Sequence, residues 1–247
     1  MASDDVVELR TPRATIRPWR MGEADVLFAI RSQPAIAQWL GDPSPWADVE
    51  QARDHIAECA DKATAALPRT LAVVPDVAAL VPGEPSAVEP SAVESSAVES
   101  SPVGTSTDGL GGDRRGRGRT VRPIGAVSLF PLHDPDGVSI GWYLDPTAAG
   151  NGWASEAATA LLDHALASGH DLVWAMMWEH NERSAAVCRR IGMVDVGVHV
   201  DPWYGTRQYP DSRFFCAGPG SATAARRLQQ WGRDADLADV PDLVPPP

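Results

Sequence analysis

The fold is decided by one stretch of the sequence, residues 141–157, which reads GWYLDPTAAGNGWASEA. Its first residues continue an apolar strand that is predicted to end at Asp145-Pro146, where a turn of small residues begins. A helix is then predicted from near Gly152 to Ser168, with apolar residues on one face and Gly169 as its stop signal. The stretch therefore reads as a strand, a glycine-containing turn and the start of a helix.

This turn has the composition of an anion-binding site. Gly150 and Gly152 allow backbone N–H groups to converge without side chains between them, and the helix N-terminus adds a partial positive charge. Such a site would hold phosphate oxygens without any lysine. An ordinary tight turn would explain the two glycines equally well. A dinucleotide-binding Rossmann turn fits poorly, because Ser155 stands at the third glycine position and no early β-α-β unit precedes it.

A second feature follows the next predicted strand, Leu172–Met177. The run His180-Asn181-Glu182-Arg183-Ser184 opens a helix that Gly192 ends. Taken alone, Asn181 reads as an ordinary helix N-cap and Ser184 as a residue of the first turn. The succession of two junctions, each from a strand to the start of a helix, is more specific for a fold than either junction alone.

That order resembles the GCN5-related N-acetyltransferase (GNAT) superfamily, and within it the RimJ/RimL-type branch that acetylates ribosomal-protein N-termini. The resemblance covers most of residues 8–217 and is strongest in Ile124–Leu129, Ile140–Leu166 and Asn181–Met193. It implies an α/β fold, in which helices flank a mixed, mostly antiparallel central sheet whose two middle strands splay apart.

The resemblance also implies acetyl-CoA as cosubstrate, lying in the opening between the splayed strands, and no metal. Carried over by position, the pantetheine arm pairs with backbone near Tyr143 and Leu144. Asn181 and Ser184 face that arm and the thioester. The pyrophosphate rests on backbone N–H groups of a run of consecutive residues, namely Ala149, Gly150, Asn151, Gly152, Trp153 and Ala154.

The implied reaction is direct attack by a primary amine on the thioester, through a tetrahedral intermediate. The amine belongs to a protein N-terminus or to a small molecule. Ser184 is the candidate catalytic residue, giving a proton to the leaving thiolate. The general base stays open between Asp195, His199, Asp201 and a chain of water molecules. A catalytically inactive CoA-binding sensor or scaffold is the alternative function.

Some positions depart from the family pattern. The superfamily often has Gln or Arg where Thr147 stands, and the branch often has Arg where Ala149 stands, so affinity for the phosphates is expected to rest on the backbone and on another arginine. Ser139 stands where the branch often has Glu, which leaves the base unidentified. Trp39 and Trp203 fall where the acceptor groove of the family is expected, either to stack on the substrate or to pack in the core.

The rest of the chain predicts a single domain at residues 8–217. A segment at 76–119, rich in Pro, Ser, Gly and Ala, reads as a disordered insertion, and 218–247 reads as a mostly disordered tail. The remaining periodicities predict two strands before the insertion and one after it, a helical region that Pro34 divides, and a further helix. These are the strands Arg13–Trp19, Arg69–Val74 and Ile124–Phe130, the helical region Met21–Trp39 and the helix Asp48–Ala66; Val138–Leu144 is the strand that leads into the decisive stretch.

Composition restricts the function further. The 247 residues carry a net charge of −12, and Lys62 is the sole lysine, so no P-loop is possible. The acidity argues against nucleic acid as a partner and favours a cationic acceptor. The three cysteines do not suggest disulfides or zinc, and no apolar run is long enough to span a membrane. We therefore expect a cytoplasmic protein, monomeric or homodimeric.

Overall fold

The computed structural model describes residues 7–40, 46–76, 121–132, 137–200, 211–223 and 226. Residues 77–119 of the predicted insertion and most of the predicted tail lie outside these ranges, as do Asp201 and Trp203. The described helices are α1 (Ala24–Arg31), α2 (Pro34–Leu40), α3 (Val49–Lys62), α4 (Trp153–Ala167) and α5 (Glu182–Arg190), with short 3-10 helices at Met21–Glu23 and Pro146–Ala148. The described strands are β1 (Leu9–Arg10), β2 (Ala14–Pro18), β3 (Arg69–Pro75), β4 (Gly125–Pro131), β5 (Val138–Leu144), β6 (Val173–Trp178), β7 (Val194–Val200) and β8 (Asp211–Ala217).

The eight strands form one sheet in the order β1-β2-β3-β4-β5-β6-β8-β7. Every neighbouring pair is antiparallel except β5 and β6, which run parallel. A parallel pair needs a crossover connection, and α4 supplies it. The predicted α/β class with a mixed, mostly antiparallel sheet is confirmed.

The parallel pair is short, and this shapes the centre of the sheet. β5 and β6 are in register only at Val138↔Val173 and Ser139↔Trp174. Beyond these positions β5 continues to Leu144 and β6 to Trp178 without pairing to one another. Two middle strands that start together and then separate are the splayed strands expected from the sequence.

The apolar cores on the two faces of the sheet differ in continuity. On the face covered by α4 and α5, one continuous cluster extends from Ile16 on β2 to Phe215 on β8. On the opposite face, one cluster lies beneath α1 and α3 and a separate one surrounds Trp174 and Phe214. The division between these two clusters falls between β5 and β6, so the α1/α3 face has a break at the place where the strands part.

Most element boundaries follow the sequence signals. Pro34 occupies the first position of α2, so the helical region beginning at Met21 is divided as predicted. The Asp48 carboxylate accepts a hydrogen bond from the N–H of Gln51 and so caps α3. β1 was not predicted, because two residues are too few to show a period of two. β7 (Val194–Val200) was not predicted as a strand either.

Candidate functional site

The turn between β5 and α4 is held by a local cap and two left-handed glycines. The Asp145 carboxylate accepts hydrogen bonds from the N–H (2.9 Å) and the hydroxyl (2.6 Å) of Thr147, which fixes the 3-10 helix that follows. These bonds, together with one from Gln33, keep the pKa of Asp145 below its ordinary value. Gly150 (φ 83°) and Gly152 (φ 79°) then turn the chain with positive φ angles, which residues other than glycine rarely adopt.

The turn leaves a run of backbone donors without acceptors. The N–H of Ala149 donates to the carbonyl oxygen of Pro146 (3.2 Å), so it belongs to the 3-10 turn. The first N–H bonded within α4 is that of Glu156, which donates to the carbonyl oxygen of Gly152 at 3.0 Å. Between them, the N–H groups of residues 150–155 have no acceptor within the described part of the chain. Six consecutive donors at the positive end of a helix form an anion-binding surface.

Arg13, immediately before β2, contacts this turn although it is far from it in the sequence. Its Nε donates to the Glu156 carboxylate (2.6 Å) and its Nη1 donates to the carbonyl oxygen of Asn151 (3.0 Å). The guanidinium also lies 4.4 Å from the centre of the Trp153 ring, a cation–π contact. One arginine therefore contacts the loop, the first helical residue and the first-turn carboxylate. Its charge is matched by that of the Glu156 carboxylate.

The Glu156 carboxylate is kept ionised by these contacts. Partial burial alone would raise the pKa of Glu156, but hydrogen bonds from Thr11 and Arg13 and the charge of Arg13 lower it below the ordinary value. A carboxylate in the first turn also interacts favourably with the helix dipole. Its contribution to stability is present above the ordinary carboxyl pKa and is lost as the pH falls through the lowered pKa.

The direction of the β5 peptides determines which of them face the opening. The N–H of Val138 donates to Leu172 ahead of β6 (3.2 Å), and the N–H of Asp145 donates to Ile124 ahead of β4 (2.7 Å). Successive peptides of a strand alternate in direction, so those of Trp142 and Leu144 face the opening and that of Tyr143 faces β4. Tyr143 and Leu144 were expected to pair with the pantetheine arm. The backbone of Leu144 faces the opening and that of Tyr143 does not, whereas the backbone of Trp142 also faces the opening.

Tyr143 instead directs its side chain to the α1/α3 face. Its ring packs on the cluster beneath α1 and α3, and the burial of its hydroxyl raises the pKa of that group. Its alternation partners Ser139 and Gly141 share this face. A Cβ added to Gly141 would meet no atom of the described residues within 4 Å, so this part of the structure leaves open space above it at the break between the two clusters.

Asn181 and Ser184 lie at the end of β6, at the start of α5. The side chain of Asn181 is buried, and its Oδ1 accepts from the N–H of Ser184 at 3.1 Å, which confirms the N-cap. Because the peptide of Asn181 is bonded to the carbonyl oxygen of Trp178 (2.9 Å), the cap is tied to the end of β6. The Ser184 hydroxyl makes no hydrogen bond to the residues the structure describes, so it remains available to another molecule.

The two described candidates for the general base lie on opposite faces of the sheet. Asp195 is paired with Arg213 (2.8 Å) and Arg189 (3.6 Å) and lies opposite Phe215 on the α5 face. Although burial would raise the pKa of Asp195, the bonds from Arg213 and from the N–H of Gly197 lower it. His199 lies on the other face, with its ring 6.2 Å from that of Phe214 and its Nε2 3.0 Å from the carbonyl oxygen of Val196.

Other expectations concern residues at the edges of the site. Ser139 is buried on the α1/α3 face. Trp39 lies on α2 with 38% of its surface exposed, so it does not belong to the closed core. Within the described ranges there is no group of three His, Cys, Asp or Glu residues that could hold a metal ion. None of the described helices is long and apolar enough to cross a membrane.

Replacing Arg13 by Ala should weaken both the turn and the domain. The variant loses a partly buried ion pair, a cation–π contact and the bond to Asn151, so we expect a loss of about 1–2 kcal/mol in the free energy of unfolding at pH 7. Urea unfolding measures it. The difference from wild type should shrink as the pH falls through the pKa of Glu156.

The matched control is Arg10→Ala. Arg10 pairs with Glu8 at the surface with 78% of its side chain exposed, so its loss should change stability by less than about 0.5 kcal/mol. Equal losses for the two variants, or a loss for Arg13→Ala that does not depend on pH, would contradict the role of Arg13 as the residue that holds the turn.

Three solved structures with the same architecture are acetyltransferases. The GNAT-family acetyltransferase of Bacillus anthracis has a TM-score of 0.59 at 14% identity, covering 86% of this chain and 99% of that one. The ribosomal L7/L12 α-N-protein acetyltransferase RimL in complex with coenzyme A gives 0.56 at 14%, covering 85% and 97%. A Salmonella typhimurium acetyltransferase that modifies the N-terminal serine of the 50S ribosomal protein L7/L12 gives 0.53 at 13%, covering 85% and 98%. At these identities the likeness shows the fold.

Sequence comparison assigns the family. No curated protein sequence matches significantly. The family model for the acetyltransferase (GNAT) domain matches residues 13–194, which include the strand-turn-helix stretch, the splayed strands and α5. With that match over most of its length, this chain belongs to the GNAT acetyltransferase family.

Proposed function

We propose that this protein transfers an acetyl group from acetyl-CoA to a primary amine, and that the amine is an α-amine at a protein N-terminus. The observation that carries the proposal is the run of six N–H donors at residues 150–155, next to an opening lined by unpaired strand backbone. A nucleotide with a pyrophosphate and a long amide-containing arm matches both parts: its phosphates suit the donors and its amides suit the strand edge.

The residues present fit such a ligand. The peptides of Trp142 and Leu144 can pair with the amides of the pantetheine arm as a further strand would. The N–H groups of Gly150, Asn151, Gly152, Trp153 and Ala154 donate to the pyrophosphate oxygens, with that of Ser155 added to the expected set. The N–H of Ala149 contributes less, because Pro146 already engages it. Asn181 and Ser184 lie beside the arm at the end of β6.

The acceptor would approach from the α1/α3 face. CoA lies on the α4/α5 side, because the donors and α5 are there, and the break in the opposite core opens above Gly141. An amine nitrogen arriving through this break attacks the carbonyl carbon of the thioester and forms an N–C bond. The tetrahedral oxyanion is stabilised by a backbone N–H of Trp142 or Leu144.

The rest of the reaction concerns two protons. The amine must lose one, and Asp195 is a poor acceptor because two arginines keep it ionised on the α5 face. An α-amine has a pKa of about 7.7–8, against about 10.4 for a lysine side chain, so it can release its proton to water without a side-chain base. When the C–S bond breaks, the thiolate takes the proton of the Ser184 hydroxyl, and the Ser184 oxygen regains one from the attacking nitrogen, which becomes the neutral amide nitrogen. The structural relatives named for N-terminal acetylation of L7/L12 support an α-amine acceptor.

An amine panel tests this function directly. Release of free thiol from acetyl-CoA is followed with N-terminal peptides, lysine side-chain amines with a blocked α-amine, and small polyamines. We expect release with α-amines above all. Tight CoA binding without release for any amine would favour the second function, an inactive CoA-binding sensor or scaffold. Absence of CoA binding would refute both.

Gly152→Asp should abolish CoA binding. The carboxylate would stand among the N–H donors and repel the phosphates, so we expect a rise in Kd of about 100-fold or more by calorimetry. Gly152→Asn is the matched control, because Asn has the same shape without the charge and tolerates a positive φ. An Asp variant that binds CoA as well as the Asn variant would remove this turn from the phosphate site.

Ser184→Ala should lower kcat while the Kd for CoA stays unchanged. The hydroxyl is free of partners among the described residues, so its removal affects the leaving thiolate and little of the fold. The loss expected for a general acid is on the order of 100-fold in kcat. Ser168→Ala, at the exposed end of α4, is the control and should keep full kcat. An unaltered kcat in Ser184→Ala would remove Ser184 from the mechanism.

Gly141→Val should block the acceptor without affecting CoA. The added side chain would enter the open space on the α1/α3 face, and a β-branched residue suits a strand, so the fold is retained. We expect a large rise in KM for the amine, a smaller rise in Gly141→Ala, and an unchanged Kd for CoA in both. If Gly141→Val weakened CoA binding and left the KM for the amine unchanged, the acceptor and CoA would enter from the sides opposite to those proposed.

A further inference from the structure

One of the three apolar clusters has no helix residue among its described members. The clusters on the α4/α5 face and beneath α1 and α3 both combine strand residues with helix residues. The third, which we call the Trp174 cluster, is built from strand residues and from two residues next to strand ends. Its buried members are Leu132, Leu172, Trp174, Val196, Phe214 and Cys216. An apolar sheet face needs a second layer to keep it out of water.

The Trp174 cluster is nevertheless buried. Phe214 and Cys216 on β8 are fully buried, and Trp174 on β6 has 3% of its surface exposed. The ring of His199 lies 6.2 Å from that of Phe214, but one imidazole cannot cover three strands. The helices α1 and α3 pack over β3, β4 and β5. A further layer therefore has to lie over β6, β8 and β7.

The chain that follows β8 turns onto this cluster. The N–H of Gly220 donates to the carbonyl oxygen of Asp171, just before β6, at 3.0 Å. The carbonyl oxygen of Ser221 accepts a hydrogen bond from the Cys216 thiol at 3.8 Å, and Cys216 belongs to the Trp174 cluster. Residue 221 therefore stands over one end of the cluster, on the face of the sheet that α1 and α3 leave open.

A helix begins at this point, and its described residues fix its orientation. Residues 221–223 and 226 are helical. Ser221 is half-buried, whereas Ala222, Thr223 and Arg226 are exposed. At 3.6 residues per turn the three exposed residues share one side of the helix, and Ser221 lies on the other. The sequence places apolar residues three, four, seven and ten positions after Ser221, namely Ala224, Ala225, Leu228 and Trp231.

We propose that residues 221–231 form an amphipathic helix that covers the Trp174 cluster and completes the second layer of the sheet. Ten helical steps rise about 15 Å, and the stretch of β6 from Leu172 to Met176 spans about 13 Å, so the lengths agree. Because this segment starts at the cluster, it is present there at a high effective concentration, unlike a separate chain. The covered cluster borders the break above Gly141, since Trp174 pairs with Ser139.

Urea unfolding of the full chain with Leu228→Asp tests the proposal. A carboxylate at this position would be buried against the cluster, so we expect the unfolding midpoint to fall by about 1 M. Gln230→Asp is the matched control, because position 230 lies on the side of the helix opposite Ser221. Its midpoint should stay within about 0.2 M of wild type. Equal midpoints for the two variants would overturn the proposal.

Thiol labelling in native buffer shows where the structure opens. Cys216 belongs to the Trp174 cluster and Cys188 to the core on the α4/α5 face, and burial raises the pKa of both thiols. We expect Leu228→Asp to label at Cys216 about tenfold faster than wild type, with Cys188 unchanged. If the Asp variant does not fold, Leu228→Ala against Gln230→Ala should give the same pattern at smaller amplitude.

Three labelling results would contradict the proposal. Equal acceleration at Cys188 and Cys216 would mean that the substitution destabilises the whole domain. Unchanged labelling at Cys216 would mean that residues 221–231 do not cover the cluster. Labelling of Cys216 in wild type that accelerates on dilution of the protein would place a second copy of this chain over the cluster. The proposal concerns packing alone, so it stands or falls independently of the proposed function.

Discussion

The site depends on one constraint: β5 and β6 pair for two residues and then part. A strand edge inside a domain leaves peptide groups without partners, and burying them unpaired costs free energy comparable to a lost hydrogen bond. Here the peptides of Trp142 and Leu144 face the gap. The fold tolerates this because the core on the α4/α5 face is continuous across the gap, while the core on the α1/α3 face is divided there into two clusters. The gap is thus an opening through the sheet that a chain of amides can fill.

The helix N-terminus and the two arginines near it lie at this same end of the sheet. β5 ends next to the N-terminus of α4, so the unpaired strand edge leads directly to six N–H groups without acceptors. Arg13 approaches that turn from β2, and Arg190 approaches it from α5. A chain with a single lysine and a net charge of −12 concentrates backbone donors and two arginines at one helix end. This local polarity, opposite to the net charge, is what an anionic cosubstrate requires.

Local signals in the sequence predicted the parts of the site that are contiguous in the chain. The two glycines predicted the turn, and Asn181 predicted the cap of α5, because each acts within four residues of itself. The contacts across the fold were not predictable. Arg13 and Glu156 are 143 residues apart, and Arg190 and Ser155 are 35 apart.

The orientation of the β5 backbone is the other feature that the sequence could not give. Tyr143 and Trp142 are neighbours with the same strand pattern, and their peptides differ only in which side they face. That side follows from the register of β5 with β4 and β6, which depends on pairing between distant segments. On β7, a β-bulge between Asp195 and Gly197 in the pairing with β8 places Asp195 and His199 on opposite faces of the sheet, although residues four apart share a face in a regular strand.

Amide hydrogen exchange with and without CoA tests the central claim most directly, because the claim concerns backbone N–H groups. The account predicts that CoA slows exchange at residues 150–155 and at Trp142 and Leu144, while Tyr143, which faces β4, is slow in both states. CoA binding that leaves exchange at residues 150–155 unchanged would contradict the account.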